Sequence, residues 1–334
     1  MEAAARSIIE RCAPRSPVTL NVTIASVALR LHFATTHMAE LFSGSFAAAT
    51  SGAATEAEGW DLYIAAGDEG AVAAELIPAA GISATQLFIS SEIYVLWMGS
   101  LADTFYVVDI PHRRALCWFA SARRVPAWER SRPFLPILQV IFDPTPWVAV
   151  HSAAIAWAER GLVLAGPGRA GKTSVALAAL RAGWRFAGDD YVLLRTDSAP
   201  AVAPIYATAR LRDDMFRYFR ELEPARREIS EEVGERRHEL SLAQTPQGGQ
   251  IGGAPLSAIF LLDRRGAAKP TFGPVSRSAL LSTMAAAMAV ATPGRGGVRT
   301  QKLLQLISRV TPRLFDPGSA FGPALQALAD AVTR

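Results

Sequence analysis

Residues 166–173 read Gly-Pro-Gly-Arg-Ala-Gly-Lys-Thr and match the pattern G-x-x-x-x-G-K-[ST]. Loops of this kind wrap backbone N–H groups around a phosphate and direct the dipole of the next helix at it. The Lys172 ammonium is expected to reach the outer phosphate oxygens, and the Thr173 hydroxyl is expected to ligate Mg²⁺. The sequence therefore predicts a nucleotide-phosphate site formed by Gly166, Pro167, Gly168, Arg169, Ala170, Gly171, Lys172, Thr173 and Ser174.

Two adjacent carboxylates, Asp189 and Asp190, follow Lys172 after one expected helix, a glycine and one expected strand. Neighbouring negative charges need a cation or a shared proton, so a metal together with a proton-accepting role would satisfy both. His151 precedes the loop on an expected strand that pairs with the strand feeding it, and it could hydrogen-bond one carboxylate. A simple Asp-Asp turn and a structural histidine are the alternatives.

The elements that must position these residues fall into two parts. Alternating apolar residues at 18–33 and four further apolar runs before residue 120 predict a β-rich domain over residues 1–135. Residues 136–334 predict an α/β domain, with a strand at 162–165, the glycine loop and a helix at 172–182. The charged segment 213–239 predicts a helix, and residues 292–300 predict a mobile loop.

The bulk composition excludes several classes of protein. No uninterrupted apolar run is long enough for a membrane helix, and no signal-peptide pattern opens the chain. The net charge is +4 without a basic run interleaved with aromatic residues, so a nucleic-acid partner is not expected. Two cysteines without metal-ligand spacing favour a reducing, cytoplasmic location.

The order H-S-A-A-I, G-x-x-x-x-G-K-T and G-D-D over residues 148–195 resembles the catalytic domain of HPr kinase/phosphorylase. It is more similar still to HPr-kinase-like enzymes, some of which phosphorylate lasso-peptide precursors. The resemblance implies a P-loop domain related to phosphoenolpyruvate carboxykinase. It also implies transfer of a phosphoryl group from ATP to a hydroxyl, most simply a serine, of a peptide or small protein.

By this resemblance, Thr173 and Asp190 would hold Mg²⁺, and Asp189 would accept the proton of the attacking hydroxyl with help from His151. The family's E-x-R-G-x-G signature is absent after the acidic pair, where residues 210–214 read RLRDD. The sequence therefore predicts a kinase without the phosphorolysis activity. The first domain would serve substrate or leader recognition, and because HPr kinases are hexameric, a homo-oligomer stays open.

Phosphoryl transfer needs positive charge over the transferred group, which arginine can supply through two parallel hydrogen bonds. The arginines that follow expected strands or lie in the expected loop are Arg210, Arg212, Arg264, Arg265, Arg295 and Arg299. Arg264 and Arg265 are preferred because strand ends at a sheet's ligand edge collect such roles.

The sequence leaves three readings of function open. The first is the peptide or protein kinase, with GTP as an alternative to ATP because no base-reading motif is visible. The second is a kinase of free serine or a sugar. The third is a regulatory protein that binds a nucleotide without transferring phosphate, although a sensor has no need of a base.

Overall fold

The computed structural model describes residues 2–15, 17–47, 59–69, 86–98, 104–232, 234–242, 251–291 and 294–333. The protein is a mixed α/β structure with several sheets. The strands are β1 Val18–Ile24, β2 Val27–Phe33, β3 Trp60–Ala66, β4 Gln86–Ile89, β5 Ile93–Met98, β6 Thr104–Asp109, β7 Arg114–Phe119, β8 Trp147–Val150, β9 Ala153–Trp157, β10 Arg160–Ala165, β11 Arg185–Gly188, β12 Val192–Arg195, β13 Ala201–Pro204, β14 Thr208–Arg212, β15 Arg226–Glu232, β16 Glu235–Ser241, β17 Ala254–Leu262, β18 Thr271–Pro274 and β19 Arg313–Asp316. The α-helices are α1 Glu2–Cys12, α2 Thr36–Ser43, α3 Ala127–Ser131, α4 Leu135–Phe142, α5 Lys172–Arg181, α6 Asp213–Phe216, α7 Arg277–Ala291, α8 Gly296–Arg309 and α9 Phe321–Thr333.

The chain divides into two compact units, one of residues 1–141 with 292–294 and one of residues 142–291 with 295–334. The sequence placed a division between residues 135 and 136. The observed one falls within the last turn of helix α4, because the apolar residues of this helix continue to its end.

The first unit is built on a seven-stranded sheet in the order β1-β2-β3-β7-β6-β5-β4. Strands β2, β3 and β7 run parallel, and the remaining neighbours are antiparallel. Helix α1 buries Ile9 and Cys12 in a cluster that contains Phe105 and Trp118 of the sheet. The buried residues lie on one face of this short helix, and that apolar face packs against the sheet.

The second unit has a central sheet in the order β11-β9-β10-β17-β13-β12-β8, which β19 extends by pairing with β17 and β18. Strand β10 is buried on both faces, and alternate side chains enter two different clusters. Leu162 and Leu164 join the cluster that contains α5 and α9, while Val163 and Ala165 join the one that contains α7 and α8. This central strand is thus fixed in register, which fixes the position of the loop that follows it.

A separate three-stranded antiparallel sheet, β14-β16-β15, lies in the same unit. The sequence prediction of a helix over 213–239 is wrong for most of this segment. Only α6 and a 3-10 helix at Arg220–Ala225 are helical, and β15 and β16 form a hairpin. Pro224 cannot continue an α-helix, and Gly234 supplies the left-handed turn, with φ of 73°, between the two strands.

The predicted loop at 292–300 is also wrong in its second half, because α8 begins at Gly296 and contains Arg299. Residues 292 and 293 lie outside the described part of the chain. Among the described helices, none combines the length and the apolar character needed to cross a membrane.

Candidate functional site

The strand pairing of the central sheet brings three chain segments to one edge. Strand β9 runs antiparallel to β10, with Ala153 opposite Leu164, so the start of β9 lies beside the end of β10. Strand β11 runs antiparallel to β9 on its other side and ends at Gly188, opposite Ala154. The residues just outside these strand ends, His151, Gly166 and Asp189, therefore meet at the same edge.

The glycine loop links the end of β10 to the first turn of α5, as the sequence predicts. Gly171 has φ of 97°, in the left-handed region that favours glycine. A Cβ added there would lie 3.2 Å from Arg264 Nε, so the Arg264 side chain packs against the loop. Because β10 and β17 are parallel, with Ala165 opposite Leu261, Arg264 reaches the loop from the neighbouring strand end.

The Lys172 side chain is directed back along the loop. Its Nζ donates to the carbonyl oxygens of Gly166 at 2.9 Å and Pro167 at 3.1 Å. Lys172 is buried, and burial lowers the pKa of its ammonium, while Asp189 and Asp190 act to raise it. The ammonium is therefore held at the loop itself, next to the acidic pair.

Asp189 contacts the hydroxyl of the loop. Thr173 Oγ1 donates to Asp189 Oδ1 at 2.9 Å and is 3.0 Å from Oδ2, and the backbone N–H of Arg210 donates to Oδ2 at 3.3 Å. Asp189 is only 2% exposed, and burial, together with the charge of Asp190, raises its pKa to about 6. A buried carboxylate thus contacts a hydroxyl in the first turn of α5.

Asp190 points in a different direction. Its backbone has φ of 62°, a left-handed conformation that aspartate tolerates better than most residues, in the turn that follows Gly188. His151 Nδ1 lies 3.1 Å from Asp190 Oδ1, and Arg210 lies 3.8 Å from Oδ2 through a terminal nitrogen. The Asp190 side chain is 16% exposed, so it is the more accessible of the two carboxylates.

Arg210 connects the acidic pair to the three-stranded sheet. It is buried, and its Nε donates to Glu239 Oε1 at 3.0 Å from the directly opposite position on β16. Ser230 Oγ of β15 donates to the same carboxylate oxygen of Glu239 at 2.6 Å. The guanidinium is therefore held rigidly by a buried carboxylate while one end faces Asp190.

The other five arginine candidates separate into three groups. Arg264 packs on the glycine loop, whereas Arg212 pairs with Asp214 and Arg265 pairs with Asp263 in exposed contacts. Arg295 and Arg299 both pair with Asp143, and Arg299 is 1% exposed. The structure thus brings Arg210 and Arg264 to the site, and it gives Arg299 a buried ion pair instead.

Three site residues escaped sequence reasoning because the hairpin was predicted as a helix. Glu235, Arg237 and Glu239 alternate along β16, so their side chains share the sheet face that carries Arg210. Glu235 forms an ion pair with Arg169 of the glycine loop. The one sequence signal for the hairpin is Gly234, a turn residue between two charged runs.

The donor set fits Mg²⁺. This cation prefers oxygen ligands and is commonly held by one or two protein groups, with water and phosphate completing its shell. The Thr173 hydroxyl and the Asp189 carboxylate supply two adjacent oxygen donors. Among the described residues, no cluster of three or more histidines, cysteines and acidic residues could hold a metal by protein groups alone.

Comparison with known proteins finds a structural likeness. No protein-family model matches the chain, and no curated protein matches its sequence. The structure of the HPr(Ser) kinase/phosphatase from Coxiella burnetii aligns with a TM-score of 0.31 and 10% sequence identity, covering 55% of this chain and 93% of that chain. A likeness at this level carries no argument about function.

Proposed function

We propose that this chain is an ATP- and Mg²⁺-dependent kinase that transfers the terminal phosphoryl group to a hydroxyl. One observation carries the proposal. Two adjacent carboxylates lie at the glycine loop, one bonded to the Thr173 hydroxyl and the other facing His151. A protein that only binds a nucleotide needs the loop and one carboxylate to hold the metal. It does not need a second carboxylate with a histidine partner.

The geometry favours a reversal of the roles that the resemblance implies for the two aspartates. Thr173 and Asp189 are the natural Mg²⁺ pair because their oxygens are in contact and Asp189 is buried beneath the helix N-terminus. Asp190 is then the general base, since an acceptor hydroxyl must reach the base and Asp190 is the accessible carboxylate. His151 orients Asp190 from 3.1 Å.

The remaining residues bind and neutralise the phosphates. Lys172 and the loop amides would contact the phosphate oxygens, while Arg210 beside Asp190 and Arg264 beside Gly171 add positive charge. Bound Mg²⁺ would neutralise charge that develops on the phosphate oxygens. As the acceptor oxygen bonds to phosphorus, the bond from phosphorus to the β-phosphate oxygen breaks. Asp190 takes the acceptor proton, and the products are a phosphate monoester and ADP.

The acceptor class rests on the motif order of residues 148–195, which resembles that of HPr-kinase-like enzymes. We propose a serine of a peptide or small protein, such as a lasso-peptide precursor, with the β-rich first unit serving its recognition. A cytoplasmic location belongs to the same proposal, because Cys12 and Cys117 are both buried free thiols.

The experiment incubates the full chain with Mg-ATP and a panel of hydroxyl-bearing acceptors, including synthetic peptides encoded beside its gene, free serine and sugars. A phosphorylated peptide is the expected product, and a phosphorylated metabolite would replace the peptide with a small-molecule acceptor. Tight ATP binding without any product would identify a nucleotide sensor. The Lys172→Ala variant is the matched control and should lose nucleotide binding.

A further inference from the structure

One face of the three-stranded sheet carries a row of charged side chains. On β14 and β16 the opposite pairs are Arg210 with Glu239 and Arg212 with Arg237, and residues directly opposite in an antiparallel pair project from the same face. The other face of the sheet, with Leu211 and Leu240, packs into the hydrophobic core. Because the apolar face is packed in the core, the orientation of the sheet is fixed, and so is the direction in which the charged row projects.

Arg237 occupies the middle of this row. Two residues after it, Glu239 holds Arg210 beside Asp190, and two residues before it, Glu235 contacts Arg169 of the glycine loop. Glu235 thus contacts the glycine loop directly, whereas Glu239 is linked to the acidic pair through Arg210. Arg237 is placed between these two ends.

The guanidinium of Arg237 is only partly used by the protein. One terminal nitrogen donates to Glu235 Oε2 at 2.9 Å, whereas Nε is buried and has no hydrogen-bond acceptor among the described residues. The side chain is 30% exposed, so a ligand can reach it. A buried N–H group without an acceptor is costly, and an anion bound at the site would remove that cost.

The charges at the site point to the same kind of ligand. Lys172 Nζ lies at the glycine loop, and Glu235, which accepts a hydrogen bond from Arg237, also pairs with Arg169 of that loop. The nearby carboxylates of Asp189 and Asp190 are engaged by Thr173 and His151. An anionic phosphoryl group bound at the loop would attract both cations.

We propose that Arg237, positioned by Glu235, binds the terminal phosphoryl group of the nucleotide and stabilises it during transfer. The inference rests on the proposed kinase function and adds a residue from outside the glycine loop and the strand ends. Because Glu235 is also paired with Arg169, the hairpin and the loop are joined at this point. In this arrangement Arg237 contacts the γ-phosphoryl group, which ATP has and ADP lacks.

The test compares the affinity of the full chain for the imido analogue of ATP with its affinity for ADP, by calorimetry in MgCl₂ at fixed ionic strength. Arg237→Ala should weaken binding of the ATP analogue by about 10-fold or more, as expected for a lost hydrogen bond to a charged group. Its affinity for ADP should stay within about 2-fold of that of the wild type. The control Arg236→Ala removes an equal charge from an exposed residue on the opposite face and should change neither affinity.

The outcomes separate the two proposals. If Arg237→Ala keeps the wild-type ratio of the two affinities, the role of Arg237 is overturned while the kinase proposal stands. If the wild type binds neither nucleotide, or Lys172→Ala binds as tightly as the wild type, the kinase proposal itself fails. Should Arg237→Ala not fold, judged by circular dichroism, Arg237→Lys decides. It keeps the charge but not the planar fork, so it should weaken the ATP analogue severalfold, and an unchanged ratio would overturn the inference.

Discussion

Gly171→Ala is the perturbation whose effect the structure defines most closely. Gly171 has φ of 97°, and its added Cβ would lie 3.2 Å from Arg264 Nε, so the variant meets backbone strain and a tight contact together. Strain of this kind costs about 1–3 kcal/mol. If the loop relieves it by leaving the phosphate-binding conformation, affinity for Mg-ATP should fall by about 5- to 150-fold.

The matched control lies in the same loop. An added Cβ at Gly168 meets nothing within 4 Å, so Gly168→Ala should bind Mg-ATP within about 2-fold of the wild type. Affinities are measured by titration with a fluorescent ATP derivative, and thermal unfolding is measured on the same samples. Equal losses in the two variants would refute the argument from conformation, because it distinguishes the two positions. Wild-type affinity in Gly171→Ala would refute it as well.

Three further predictions concern carboxylates. Asp190→Asn should abolish phosphoryl transfer and leave Mg-ATP affinity near that of the wild type, whereas Asp189→Asn should weaken the Mg²⁺ dependence of nucleotide binding. Calorimetry with and without Mg²⁺ distinguishes the two variants. The reverse pattern would identify Asp189 as the base. Burial raises the pKa of Glu129 to about 7 from its ordinary 4.5, so the folded state binds more protons than the unfolded state between these values and stability falls as pH rises through them. The free energy of unfolding is measured in urea at pH 5 and pH 8, and its decrease between the two should be smaller by about 3 kcal/mol in Glu129→Gln than in the wild type. An equal decrease in the two proteins would contradict this prediction. Asp143→Ala removes the carboxylate that lies 2.7 Å from the buried Arg299 guanidinium and should cost about 3–5 kcal/mol of unfolding free energy. Asp263→Ala, whose arginine partner is exposed, should cost less than about 1 kcal/mol.

The sequence could predict the core of the site because short connections determine it. Strand β10, the loop and α5 are consecutive, and the step from α5 to the acidic pair contains only β11. A strand that returns after one helix lies near the strand that preceded it, so Asp189 had to come close to the loop. The same reasoning placed His151, since β9 and β10 form a hairpin.

The different contacts of Asp189 and Asp190 could not be predicted, because the two residues are adjacent and of the same type. The backbone conformation separates them. The left-handed φ of Asp190 turns its side chain towards His151, while Asp189 stays with Thr173. A positive φ in a residue other than glycine leaves no clear mark in a single sequence.

The hairpin was missed for a different reason. Charged residues occupy both faces of β15 and β16, so the segment shows no apolar alternation to indicate strands. Arg210 and Glu239 are buried although sequence patterns treat charge as exposed, because each neutralises the other. Burial of a charged pair depends on the partner across the sheet, which the sequence alone does not reveal.

The most direct test of the central claim is intact-mass spectrometry of the peptides encoded beside the gene after incubation with the enzyme and Mg-ATP. The wild type should add one phosphoryl group to a hydroxyl of one peptide, and Asp190→Asn, which still binds Mg-ATP, should add none. Phosphorylation at the wild-type rate by Asp190→Asn would contradict the assignment of the base. Tight ATP binding by the wild type with no phosphorylated product from any peptide, serine or sugar would contradict the kinase function itself.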